Sequence, residues 1–238
     1  MSLREILRAR DGVARRLIRL WWLCLLLPLM GFERVVSEQP LTPTSEGFID
    51  RDVIGDWTMA SDAEGKLAFT IAREQSGLLE IRAYDHDVEG VPYLRYRAYS
   101  SRLGDDTYAN LELVGYGCLD CDGADLARIR SEIFDPLSRI VGRSGSSCIY
   151  ILVKYRHASD GRLIVYAYSD GDLVRHAIEE QRLAGRVFGP AALELAGEPC
   201  ITDSADRLRE FYTRNAAALF PEAGAEAFVR QRGLNVPR

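Results

Sequence analysis

Lys66-Leu67-Ala68-Phe69-Thr70-Ile71-Ala72-Arg73 and, after a turn at Gln75-Ser76-Gly77, Leu79-Glu80-Ile81-Arg82-Ala83-Tyr84 decide the fold. Leu67, Phe69 and Ile71 fall on one side of an extended chain. Leu79, Ile81 and Ala83 repeat the pattern against Glu80, Arg82 and Tyr84, which is the period of two expected of half-buried strands. Further runs of this kind lie at Tyr93–Tyr99, Tyr108–Gly115, Ile149–Arg156 and Leu163–Ser169, with a short leading strand around Trp57. Ala63-Glu64-Gly65, Val88-Glu89-Gly90, Gly104-Asp105-Asp106 and Ser159-Asp160-Gly161 supply turns between them. Strands joined so tightly pair antiparallel. The expected fold is therefore mainly β, an up-and-down meander that curls into a barrel or a strongly curved sheet and so protects its edges.

The period changes toward the end of the chain. Asp172–Arg182, with Leu173, Val174, Ala177 and Ile178 on one face, reads as a helix. A longer one is expected from Asp203, acting as the cap, with Leu208, Phe211, Tyr212, Asn215 and Leu219 along a stripe. Pro221 and Glu222 are expected to begin a third helix that Gly233 closes. These helices would plug or buttress the sheet.

At the other end, Arg15, Arg16 and Arg19 run into Leu20-Trp21-Trp22-Leu23-Cys24-Leu25-Leu26-Leu27-Pro28-Leu29-Met30-Gly31-Phe32. A cationic flank resists translocation while the apolar run enters lipid, so the segment reads as a signal peptide or signal anchor. The expected location of the rest is the periplasmic side of a bacterial inner membrane, or the periplasm if the leader is cleaved. Residues 1–34 hold seven arginines against Glu5, Asp11 and Glu33, so of a formal charge of −5 the remainder carries −9. A body this acidic lacks the clustered cations that nucleic acid requires. Residues 35–52 contain Gln39-Pro40-Leu41-Thr42-Pro43-Thr44-Ser45 and read as a flexible tether. The domain organisation expected is leader (1–34), tether (35–52), β domain (53–220) with a helical insertion at 117–146, and C-terminal helical tail (221–238).

Gly55-Asp56-Trp57 in the first strand of an antiparallel meander, with a helix after the strands, resembles the lipocalin-like barrels, including small bacterial envelope proteins of unassigned role. The resemblance spans Val53 to Phe220. It implies that Trp57 closes one barrel end and that the barrel is small, either filled or bearing a cavity. The second motif of lipocalins proper is not evident, and the insertion between Gly115 and Cys148 is large.

Candidate chemistry is sparse. Arg95 and Arg97 share a strand face with Tyr93 and Tyr99 and could hold an anionic group, or simply form a solvated face. Cys118, Cys121, Cys148 and Cys200 form an even set beyond the leader, which an oxidising compartment would pair as structural disulfides. Of three connectivities, the spacing favours Cys118 with Cys121 and Cys148 with Cys200. Cys118-Leu119-Asp120-Cys121 could alternatively be a redox dithiol, although Asp120 and Asp122 oppose a thiolate. Asp85-His86-Asp87 is the alternative hydrolytic cluster, yet strand alternation turns both aspartates away from His86. No metal or cofactor motif occurs in the sequence. The expectation is a non-catalytic binding or interaction module, tethered to the membrane by its leader, whose partner is a small apolar or lipid ligand or another envelope protein.

Overall fold

The computed structural model describes residues 35–62, 67–86, 91–119, 123–129, 149–166, 171–187 and 199–231. The expected leader helix lies outside them. In chain order the strands are β1 (Val36–Ser37), β2 (Gly55–Met59), β3 (Leu67–Arg73), β4 (Leu79–Asp85), β5 (Pro92–Leu103), β6 (Asp106–Cys118), β7 (Tyr150–His157), β8 (Leu163–Tyr166), β9 (Gly185–Val187), β10 (Pro199–Ile201) and β11 (Ala225–Arg230). The helices are α1 (Gly123–Ile129), α2 (Gly171–Glu179) and α3 (Ala205–Leu219).

Eight strands close into an antiparallel barrel. The meander β2 to β8 pairs each strand with its successor, β6 pairs with β7 across the insertion, and β11 fits between β8 and β2. Closure leaves these strands without a free edge. The two longest, β5 and β6, are joined by Gly104-Asp105. Gly104 takes a left-handed φ of +60°, the backbone that lets a two-residue turn follow the twist of its strands.

β11 corrects the expected C-terminal helix. Only a single 3-10 turn, Glu222–Gly224, follows Pro221 before the chain becomes extended. Ala225, Glu226 and Ala227 favour a helix locally, but the edges of β8 and β2 between them pair all six residues of the strand, and that outweighs propensity.

Two apolar cores share the barrel wall. One fills the inside around Trp57, Ile71, Leu79, Tyr96 and Leu163. The other lies outside β6, β7, β8 and β11, where Tyr108, Leu152, Ile164 and Tyr166 are covered by α2, α3 and Val35 and Leu41 on either side of β1. Strands covered on both faces need no alternation, hence the unbroken Ile151-Leu152-Val153 and Leu163-Ile164-Val165. α3 presents Leu208, Phe211, Tyr212 and Leu219 to this second core, with Tyr108 edge-on to both Tyr212 and Phe220. Its cap is Ser204, whose hydroxyl accepts from the Arg207 amide at 3.3 Å. The expected cap, Asp203, instead accepts from the amides of Ser204 and Ala184, tying the helix start to the chain before β9.

Residues 35–52 are a strap rather than a flexible tether. Val36 pairs with β7 on one side and β10 on the other. Leu41 is wholly buried in the second core, its amide donating to Asn110 Oδ1 at 2.8 Å and its carbonyl accepting from Arg209. Thr42 accepts from the Tyr99 phenol at 2.7 Å, and Phe48 bridges Ser100. The prolines and hydroxyls that suggested a mobile linker serve an extended segment whose polar groups find partners on the barrel wall. The expected insertion is also later than predicted, since residues 117 and 118 still belong to β6.

Candidate functional site: the barrel interior and its two ends

One end of the barrel is shut. Trp57 is 1 % exposed and its indole N–H donates to the Val53 carbonyl at 2.8 Å. Arg230, the last residue of β11, lies over the Trp57 ring at 4.9 Å and donates to the Asp52 carbonyl. Gly55 beside this stack takes a φ of +148°, a backbone that L side chains rarely adopt. Below the indole, Phe69 stacks at 6.4 Å and Phe228 approaches Phe69 at 4.8 Å.

A polar chain seals the same end. Asp50 Oδ2 accepts from the Tyr155 phenol at 3.0 Å and from His157 Nε2 at 2.9 Å, while Oδ1 accepts from the Asp52 amide. The Tyr155 hydrogen is committed to the carboxylate, so the Ser100 hydroxyl, 2.6 Å away, must be the donor to Tyr155. Burial works against the Asp50 charge, but the hydrogen bonds from His157, the Asp52 amide and Tyr155 outweigh it and hold the carboxyl below its ordinary 3.8. Burial pushes the Tyr155 phenol up. The cluster locks the strap onto the barrel rim.

The opposite half is less tightly closed. Inward side chains near Trp57, such as Leu79 and Ala98, retain 2 % and 1 % of their exposure. Ile81, Leu113, Tyr116, Val153 and Val165 belong to the same inner face yet stay only partly buried. A β-bulge shapes this half. Arg95 pairs with Gly115 and Tyr96 with Leu113, so Val114 is the extra residue and Tyr116, opposite Leu94, turns back to the inside. Glu226 shares the inner face with Val165, its register partner, because Ala225 and Ala227 on either side belong to the outer core.

The residues singled out from sequence lie elsewhere. Tyr93, Arg95, Arg97 and Tyr99 do share a face, but it is the outer one. Arg95 pairs with Glu80, and Arg97 with Glu74 and Glu112, at 3.3 to 3.6 Å. Tyr99 is covered by the strap, and burial pushes its phenol up to about 12. A shallow depression of about 500 Å³ beside them is lined by Arg73, Glu74, Glu80, Arg82 and Arg97, with cations and carboxylates in near balance. Asp85 ends β4, and His86 is exposed with its ring against Tyr84 at 5.9 Å. Asp87 lies outside the described residues, as do Cys121 and Cys148. Cys118 ends β6 and Cys200 is fully buried in β10. These two are not within disulfide distance of each other. Among the described residues no cluster is suited to a metal ion, and no helix is long and apolar enough to cross a membrane.

Sequence reasoning missed Asp50, Ser100, Tyr155, His157 and Glu226. Tyr155 and His157 do continue the inward parity of Ile151 and Val153, which was a usable signal; Asp50 had none while its segment read as a tether. In comparisons with known proteins, no family model matches the chain, nor does any curated protein or solved structure.

Proposed function

We propose that this is a binding module of the bacterial envelope, exported and tethered by its arginine-flanked leader, that takes a small apolar or lipid-like ligand into the barrel through the end remote from Trp57. One observation carries the reading: apolar inward side chains of that half, Leu113 and Val153 among them, keep accessible surface while Trp57, Leu79, Ala98 and Leu163 at the shut end keep almost none. Protein interiors pack to the density of organic crystals, so apolar wall left accessible inside a barrel marks room for a guest. Eight strands enclose a space that suits side chains or one small ligand. The likeness to lipocalin-like barrels, argued from Gly55-Asp56-Trp57, agrees with one shut end and one receiving end. Export would also explain the cysteines, with Cys118 joined to Cys121 and Cys148 to Cys200 in an oxidising compartment.

Native mass spectrometry of the full-length protein extracted from its own membrane tests this. The wild type should carry one non-covalent small-molecule adduct that the Val153→Trp variant, its wall filled by an indole, has lost. A bare polypeptide mass in both, or an adduct that Val153→Trp retains, would refute the reading. A bound polypeptide in place of a small molecule would replace it with a protein partner.

A further inference from the structure

We infer that the guest of this barrel is a cationic amphiphile, an alkyl chain bearing an ammonium-like head, with Glu226 receiving the head. The inference rests on the proposed binding role and names the ligand class.

Glu226 reaches the inner face by register. β11 pairs Ala225 with Tyr166, Glu226 with Val165, Ala227 with Ile164 and Phe228 with Leu163. Tyr166, Ile164, Ala225 and Ala227 pack in the outer core beneath the helices, whereas Val165, Leu163 and Phe228 belong to the inner one. Strand alternation therefore leaves Glu226 the inside. It is partly exposed, as are Val165 and the other accessible apolar residues of that half.

Among the inward side chains described in the half remote from Trp57, Glu226 alone carries a charge; the others are hydrocarbon, phenol or the sulfur of Cys118. The cations of the wall point outward: Arg82, Arg95 and Arg97 into the Glu74, Glu80 and Glu112 network, and Lys154 onto Asp106 at 2.8 Å. Arg230 is committed to Trp57 at the shut end. An anionic head would find no partner among these groups and would face a carboxylate. An ammonium head would gain a charge-assisted hydrogen bond while its chain lay along Val165, Val153 and Leu113. Among the described residues Glu226 has no ion-pair partner, and a cationic ligand would supply one.

The test presents the full-length protein, in lipid nanodiscs, with equal concentrations of dodecylamine and dodecanoic acid, which share a chain and differ in head charge. Adducts are counted by native mass spectrometry. The dodecylamine adduct should exceed the dodecanoate adduct by about fivefold or more, the scale of a partly exposed ion pair. Glu226→Gln should bring the ratio toward parity. Glu179→Gln, at an exposed site on α2, removes the same charge from the surface and should leave the ratio unchanged. Parity or a dodecanoate excess in the wild type, or a ratio that Glu226→Gln does not move, overturns the inference while the binding role stands. Absence of both adducts, or their survival in Val153→Trp, overturns the binding role itself.

Discussion

Leu41 separates a strap from a tether, and truncating it to alanine gives the two cases different outcomes. Its side chain is fully buried in the outer core with Tyr212, Leu208 and Leu152, and Asn110, itself fully buried, holds its amide. Leucine-to-alanine changes at sites of this kind cost about 3 kcal/mol, from the lost transfer free energy and the cavity left behind. For a domain of this size that lowers the melting temperature by roughly 6 to 12 °C. Ser45→Ala, four residues on and exposed, should stay within about 0.5 kcal/mol of wild type. Thermal unfolding of the full-length protein followed by near-ultraviolet circular dichroism reads both. If residues 35–52 form a mobile linker, Leu41→Ala will melt with Ser45→Ala, and the packing argued for the strap is refuted.

Three further predictions concern the closed end and the frame around it. Asp50→Asn should cost about 1 kcal/mol at neutral pH by weakening a partly buried hydrogen-bonded cluster. Because the folded-state pKa of Asp50 is depressed, its stabilisation is fully present above the ordinary 3.8 and is lost as the pH falls through the lower folded value. The gap between the urea midpoints of wild type and variant should thus narrow toward the acid end of a series from pH 7 to pH 3, and a constant gap would contradict the assignment. Phe228→Ala removes a ring 4.8 Å from Phe69 in the strand that closes the barrel. It should cost about 3 to 5 kcal/mol, whereas the same change in a peripheral helical tail would cost little; denaturant titration decides. Ser204→Ala should cost about 1 kcal/mol through loss of the α3 cap, with Asp203→Ala acting instead on the link to Ala184, a difference that amide exchange at residues 184 and 207 resolves.

The meander was legible because β3, β4 and β5 have one wet face. Glu80, Arg82, Arg95 and Arg97 alternate with Leu79, Ile81, Leu94 and Tyr96, and period alone reveals such strands. β11 was not legible, since Ala225-Glu226-Ala227 favours a helix locally and becomes a strand only through partners more than fifty residues away in β8 and far earlier in β2. The strap was hidden for a related reason: Leu41 is a lone apolar residue among prolines and threonines, and its burial depends on Asn110 and Tyr212. For the candidate site, alternation correctly grouped Tyr93, Arg95, Arg97 and Tyr99 but could not say which face was inside. The bulge at Val114, which returns Tyr116 to the interior, leaves no mark in the pattern of one strand.

The central claim, a barrel shut at Trp57 and receptive at its other half, is tested most directly by thiol accessibility at two inward positions. Leu113→Cys and Leu79→Cys both point inside, the first partly exposed and the second 2 % exposed. With the labelling of the native cysteines in the wild type subtracted, N-ethylmaleimide should modify Leu113→Cys in the folded protein and leave Leu79→Cys untouched until urea unfolds it. Equal protection of both positions, or labelling at residue 79 before residue 113, would contradict the account.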